Sequence, residues 1–173
     1  MPSGHKHVWP RGVSGTALAS KGVVAMISIK HILVPTDFSD ASERALGAAL
    51  ELAQAFGARV TLAHVWSIPN TGYAEALSWP IDAMEKAAKK SLDAALVRVR
   101  KNYPKTEGIL REGNEWRQIV DVIDELGIDL VVMGTHGRRG LPRLVLGSVA
   151  EKVVRLSPVP VLTVGAPKEA EKK

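Results

Sequence analysis

From residue 31 onward the apolar positions change their period repeatedly, and each change marks a new element. "HILVP" (31–35) is a short unbroken apolar run followed by turn residues, the pattern of a buried strand. Ser39 or Asp40 then offers a helix N-cap, and Leu46, Ala49, Leu50 and Ala53 share one helical face before Gly57 stops it. "RVTLAHV" (59–65) reads as a second strand. After a polar loop holding Pro69, Gly72 and Pro80 comes the clearest helix. Met84, Ala87, Ala88, Ser91, Leu92, Ala95, Leu96 and Val99 form one stripe, with Lys86, Lys89, Lys90 and Arg100 mostly off it. "TEGILRE" (106–112) is a third, less apolar strand. Asn114 caps a helix carrying Trp116, Ile119, Val122, Ile123 and Leu126, and Gly127 ends it. "IDLVVM" (128–133) is a fourth strand, Val149, Val153 and Leu156 mark a short helix, and "VPVLTV" (159–164) is a fifth strand.

Strands alternating with helices specify an α/β fold: an open five-stranded parallel sheet with helices on both faces. In such sheets ligands bind beyond the carboxyl ends of the strands, where the strand order reverses. Two post-strand loops carry chemistry, "PTDFSD" (35–40) and the glycine-rich stretch after residue 133. If both serve one site, strands one and four are neighbours. Right-handed crossovers then give the order 3-2-1-4-5.

Composition narrows the function. The chain has 173 residues and no cysteine, which excludes disulfides, thiol catalysis and thiolate metal sites. No run approaches the ~18 apolar residues of a membrane span, so no membrane role is expected. The net charge of +5 is concentrated in residues 1–30, where Lys6, Arg11, Lys21 and Lys30 stand without an acid. The basic balance therefore belongs to an arm and not to a folded surface, and nucleic acid is not an expected partner. Residues 1–28 read as a flexible extension, 29–166 as the domain and 167–173 as a solvated tail. The arm's apolar part is broken by Ser20, Lys21 and Gly22, unlike a secretory signal, and Met26 is a candidate alternative start.

Gly134, Gly137, Gly140 and Gly147 punctuate the loaded loop, and Arg138, Arg139 and Arg143 add charge. Glycines let backbone amides approach a ligand closely, and a helix opening at Gly147 and Ser148 suits a phosphate. The spacing is neither the GxGxxG of dinucleotide folds nor a Walker loop, which excludes those enzyme classes.

The spacing Gly134-x2-Gly137-x9-Gly147-Ser148, with "ILVPTDFS" and "SPVPVLTV", resembles the universal stress protein family over residues 29–164. The resemblance implies a Rossmann-like fold of the adenine nucleotide alpha hydrolase-like kind. It also implies a cytoplasmic homodimer, paired through the last strand, that binds ATP or AMP and regulates the stress response. The alternative is a slow ATPase or phosphotransferase using the same nucleotide site. Carried over, Pro35, Thr36 and Asp37 lie beside the nucleoside, Val65 beside the adenine, and Met133 and Gly134 on the ribose side. Gly137, Gly147, Ser148 and Val149 then hold the phosphates, with His136 nearby, and Asp37 is the residue to help hold Mg²⁺.

Several of these residues carry a structural reading as well. Asp37 suits a turn that caps the first helix. "SVAE" (148–151) reads as a capping box with Ser148 as the cap and Glu151 reaching back. His136 is read as a loop contact, since no carboxylate or nucleophile is evident to make it a general base. His64 is read as structural. Trp66 and Trp79 bound the variable loop and either pack or cover the site.

Overall fold

The computed structural model describes residues 28–68, 80–135 and 146–165. Five strands run parallel: β1 His31–Pro35, β2 Arg59–Trp66, β3 Thr106–Glu112, β4 Leu130–Gly134 and β5 Val161–Val164. Four helices connect them: α1 Asp40–Phe56, α2 Ile81–Arg100, α3 Glu115–Leu126 and α4 Ser148–Leu156. The sheet order is β3-β2-β1-β4-β5, as motif placement required.

Strand alternation divides the interior into two cores. Ile32 and Val34 of β1, Val60 and Leu62 of β2, and Leu130 and Val132 of β4 face α1 and α2. Their neighbours Leu33, Ala63, Val131 and Met133 face α3 and α4. A strand buried on both faces has no polar side to show, which is why "HILVP" and "LVVM" read as continuous apolar runs. The α2 stripe buries Ala88, Leu92, Ala95, Leu96 and Val99; Ala87 and Ser91 lie on its exposed flank.

Local signals set the helix ends. Ser39 caps α1 by accepting from the Ser42 amide, and Asn114 caps α3 by accepting from Arg117. Gly57 and Gly127 end these helices in the left-handed conformation, at φ 68° and 61°. The fourth and fifth strands start two residues later than the apolar runs, at Leu130 and Val161. Pro158 and Pro160 bring no amide hydrogen to a ladder. The Ser157 hydroxyl instead donates to the Val159 carbonyl (2.7 Å) in a local turn.

The capping box does not form. Gly147 occupies the N-cap with extended backbone (φ −61°, ψ 150°), and Ser148 is the first helical residue. The reason lies just beyond β4, where the Thr135 carbonyl accepts from the Gly147 amide (2.8 Å). That bond pins the cap one residue early, and Glu151 pairs instead with Arg155 (3.6 Å).

Candidate functional site

The site grows from the end of β1. Pro35 is its last residue, and the Thr36 amide extends the ladder by donating to the Ala63 carbonyl (2.8 Å). Buried Thr36 then anchors the turn. Its hydroxyl donates to the Ser42 hydroxyl (3.2 Å) and accepts from the Phe38 amide (3.0 Å). The Asp37 Oδ1 accepts from the Ser39 amide (3.1 Å) and the Ser39 hydroxyl (2.6 Å), which completes the turn into α1. Phe38 sits at φ 62°, the one non-glycine residue with positive φ among those described. Strain of this kind persists only where surrounding contacts fix it. Here the Phe38 ring packs into the α1–α2 core and lies 4.5 Å from the His64 ring.

His64 is tied down as well. Its Nδ1 donates to the Thr36 carbonyl (2.8 Å), which fixes the tautomer and joins the ends of β1 and β2. Next to it, Val65 turns to the other face and packs against the α3–α4 core, as Trp116, Leu146 and Val149 do. All four are partly buried. Met133 keeps its side chain in that same core, so only its backbone faces the site.

Gly134 closes the opposite side. A Cβ added there would lie 2.9 Å from the Ala41 backbone carbon of α1. Packing of the helix start against β4 therefore demands glycine, and the ligand-approach argument is not needed for it. Beyond Gly134 the chain clasps itself. The Thr135 amide donates to Val164 (3.1 Å), and Gly147 donates back to Thr135. The first backward helical bond of α4 belongs to Glu151, reaching Gly147 at 2.9 Å. The amides of Ser148, Val149 and Ala150 thus have no acceptor within the helix, and they open at the same sheet end as the Asp37 turn. Asp37 lies in no group of three or more His, Asp or Glu able to hold a metal, among the described residues. A Mg²⁺ at Asp37 would take its remaining ligands from phosphate oxygens and water.

Pro35, Thr36, Asp37, Val65, Met133, Gly134, Gly147, Ser148 and Val149 thus gather at the carboxyl end of β1, β2, β4 and the start of α4. His136 and Gly137, with Arg138, Arg139, Arg143, Trp79 and the extension before residue 28, lie outside the described residues. The sequence reading passed over Thr36 as an anchor, and over Phe38 and Leu146. Only their places next to the motifs, in "PTDFS" and "LGS", signalled them.

The model of the universal stress protein family matches residues 28–165. The chain belongs to that family. A universal stress protein of Methanocaldococcus jannaschii is 36% identical over 145 residues, covering 81% of this chain and 84% of that one. The universal stress protein UspA of Lactobacillus plantarum superposes with a TM-score of 0.68 at 28% identity, over 79% of this chain and 97% of that one. An Archaeoglobus fulgidus universal stress protein in complex with dAMP gives 0.56 at 30%, over 80% and 98%. A universal stress protein in complex with cAMP gives 0.53 at 28%, over 79% and 97%.

Proposed function

We propose that this protein binds an adenine nucleotide, ATP or AMP, at the carboxyl end of its sheet and acts as a dimeric regulatory module in the stress response. The observation that carries the reading is the clasp between Thr135 and Gly147. It presents the opening amides of α4 beside the Asp37 turn, from the strand adjacent to β1. An anion at a helix start of this kind meets oriented N–H groups and the positive end of the dipole. Partly buried Val65, Leu146 and Val149, all packed against the α3–α4 core, offer apolar surface to the base. The two relatives crystallised with dAMP and cAMP support an adenine nucleotide as the class of ligand.

The dimer has its own support. β5 is an edge strand, and Leu162 on it is exposed together with Val154 and Leu156 of α4. An apolar edge that remains open invites pairing with another chain. A second copy laid against β5 covers it. The cytoplasmic setting follows the family resemblance.

Calorimetric titration of the full chain with ATP and AMP, with and without Mg²⁺, tests the nucleotide reading. Saturable heat is expected, and its absence, together with no copurified nucleotide, overturns the reading. Phosphate release from the same samples separates a binding module from a slow ATPase. Light scattering at micromolar concentration is expected to give twice the chain mass.

A further inference from the structure

One cation near this end of the sheet has an unusual resting place. Lys152 lies on α4 one turn after Ser148, so the two share a helix face. Helical side chains lean toward the N-terminus, and a lysine stem is long enough to reach back to the first turn. The Lys152 ammonium rests 5.3 Å from the ring centroid of Trp116, which is in the first turn of α3. Arg117 approaches the same ring at 5.2 Å. Trp116 itself is partly buried and packs against the α3–α4 core, as Val65 and Val149 do. An exposed cation over an indole is held weakly, by less than a charge-assisted hydrogen bond to phosphate supplies. Lys152 is thus held close to the α4 start by a contact that an anion can outcompete.

We propose that Lys152 is a phosphate-binding residue of the nucleotide site, parked on Trp116 until a polyphosphate draws it to the opening of α4. This rests on the nucleotide reading above and specifies it: Lys152 makes the site favour longer phosphate chains. A nucleoside offers the ammonium nothing, a monophosphate offers one group already engaged by backbone amides, and a triphosphate offers oxygens to spare. Trp116 reports the exchange, because an ammonium leaving the ring alters indole emission.

The test compares adenosine, AMP and ATP by calorimetry on wild type, Lys152→Met, Lys152→Arg and Lys86→Met, the last an exposed α2 lysine that controls for net charge. Lys152→Met should weaken ATP by about tenfold or more, weaken AMP less and leave adenosine unchanged. Lys152→Arg should recover most of the loss, and Lys86→Met should change nothing. ATP should also shift tryptophan emission in wild type, and that shift should be missing from Trp116→Phe. Equal losses for all three ligands, or no loss for ATP, overturn the role of Lys152 while leaving the nucleotide site standing. A wild type that binds none of the three overturns both.

Discussion

The two ends of the sheet use similar polar residues for opposite purposes, and a histidine marks each. At the amino end His31 is buried, its Nδ1 donating to the Leu126 carbonyl (3.1 Å) and its Nε2 bonded to the Thr61 hydroxyl (2.8 Å). Asp129 accepts from the amides of Lys30 (2.7 Å) and His31 (3.0 Å), which sews the α3–β4 turn to the start of β1. The Tyr103 hydroxyl reaches the Ala53 and Ala58 carbonyls and secures the end of α1. At the carboxyl end His64 holds a turn that contains a strained phenylalanine, and α4 opens from a cap without a side chain. One end spends its polar groups on the chain itself. The other leaves the first amides of α4 without an acceptor inside the helix. On the proposed function, substitutions at the amino end should therefore change stability alone, and those at the opening of α4 affinity alone.

The largest separation is expected from Gly147→Val. A branched side chain at the entrance to α4 obstructs the amides that would meet phosphate, while the clasp to Thr135 is made by backbone and survives. Losing two charge-assisted hydrogen bonds costs about 3 kcal/mol, roughly a hundredfold in ATP affinity. Calorimetry measures the loss and thermal melting checks the fold. A variant that melts like wild type and binds normally removes the basis for the contrast.

His31→Leu is the converse. It leaves the Thr61 hydroxyl without its buried partner and the Leu126 carbonyl to the exposed Arg59 guanidinium (3.4 Å), at a cost of about 2–3 kcal/mol. Urea unfolding should show that loss, and ATP affinity in the folded protein should stay unchanged. Weaker ATP binding would mean that the two ends are coupled.

Gly134→Ala cuts across the division. Its new methyl would meet the Ala41 backbone, so α1 must move, at about 1–3 kcal/mol for an overpacked contact. Because α1 begins at the Asp37 turn, stability and affinity should fall together. A loss of affinity alone would show that the glycine serves the ligand and not the helix.

How much of this was legible beforehand depended on the range of the interaction. Periodicity placed all nine elements, because both faces of the sheet are covered and every helix has one apolar stripe. The strand order followed from two loaded loops needing one site. Caps made by a side chain within three residues, at Ser39 and Asn114, were also readable. Ser148 was not, because its fate is decided by a hydrogen bond between Gly147 and Thr135, which are far apart in the sequence. Gly134 was read as a ligand glycine, and its packing role was not legible because it depends on Ala41, from another element. The amino-end network stayed hidden inside "HILVP", where a histidine at the start of an apolar run gives no sign that Leu126 and Thr61 await it.

The smallest effect concerns pH and isolates that network from the site. Burial lowers the His31 pKa from its usual value near 6.5; the nearby Arg59 charge adds to this, while the Leu126 hydrogen bond, Glu107 and Asp129 oppose it. The unfolded chain therefore binds more protons at this position than the folded one. Stability from neutral His31 is complete above pH ~6.5 and falls as the pH drops toward the lowered folded value, by at most about 1.4 kcal/mol per pH unit. The slope of wild type alone does not isolate His31. His31→Gln retains a donor for the Leu126 carbonyl and removes the titration. Unfolding free energies measured from pH 7.5 to 5 should fall less steeply in this variant than in wild type. ATP affinity should show the same pH dependence in both proteins. Parallel stability curves would mean that His31 accepts its proton without cost, and the amino end would then be held by Asp129 and Tyr103 rather than by the buried imidazole.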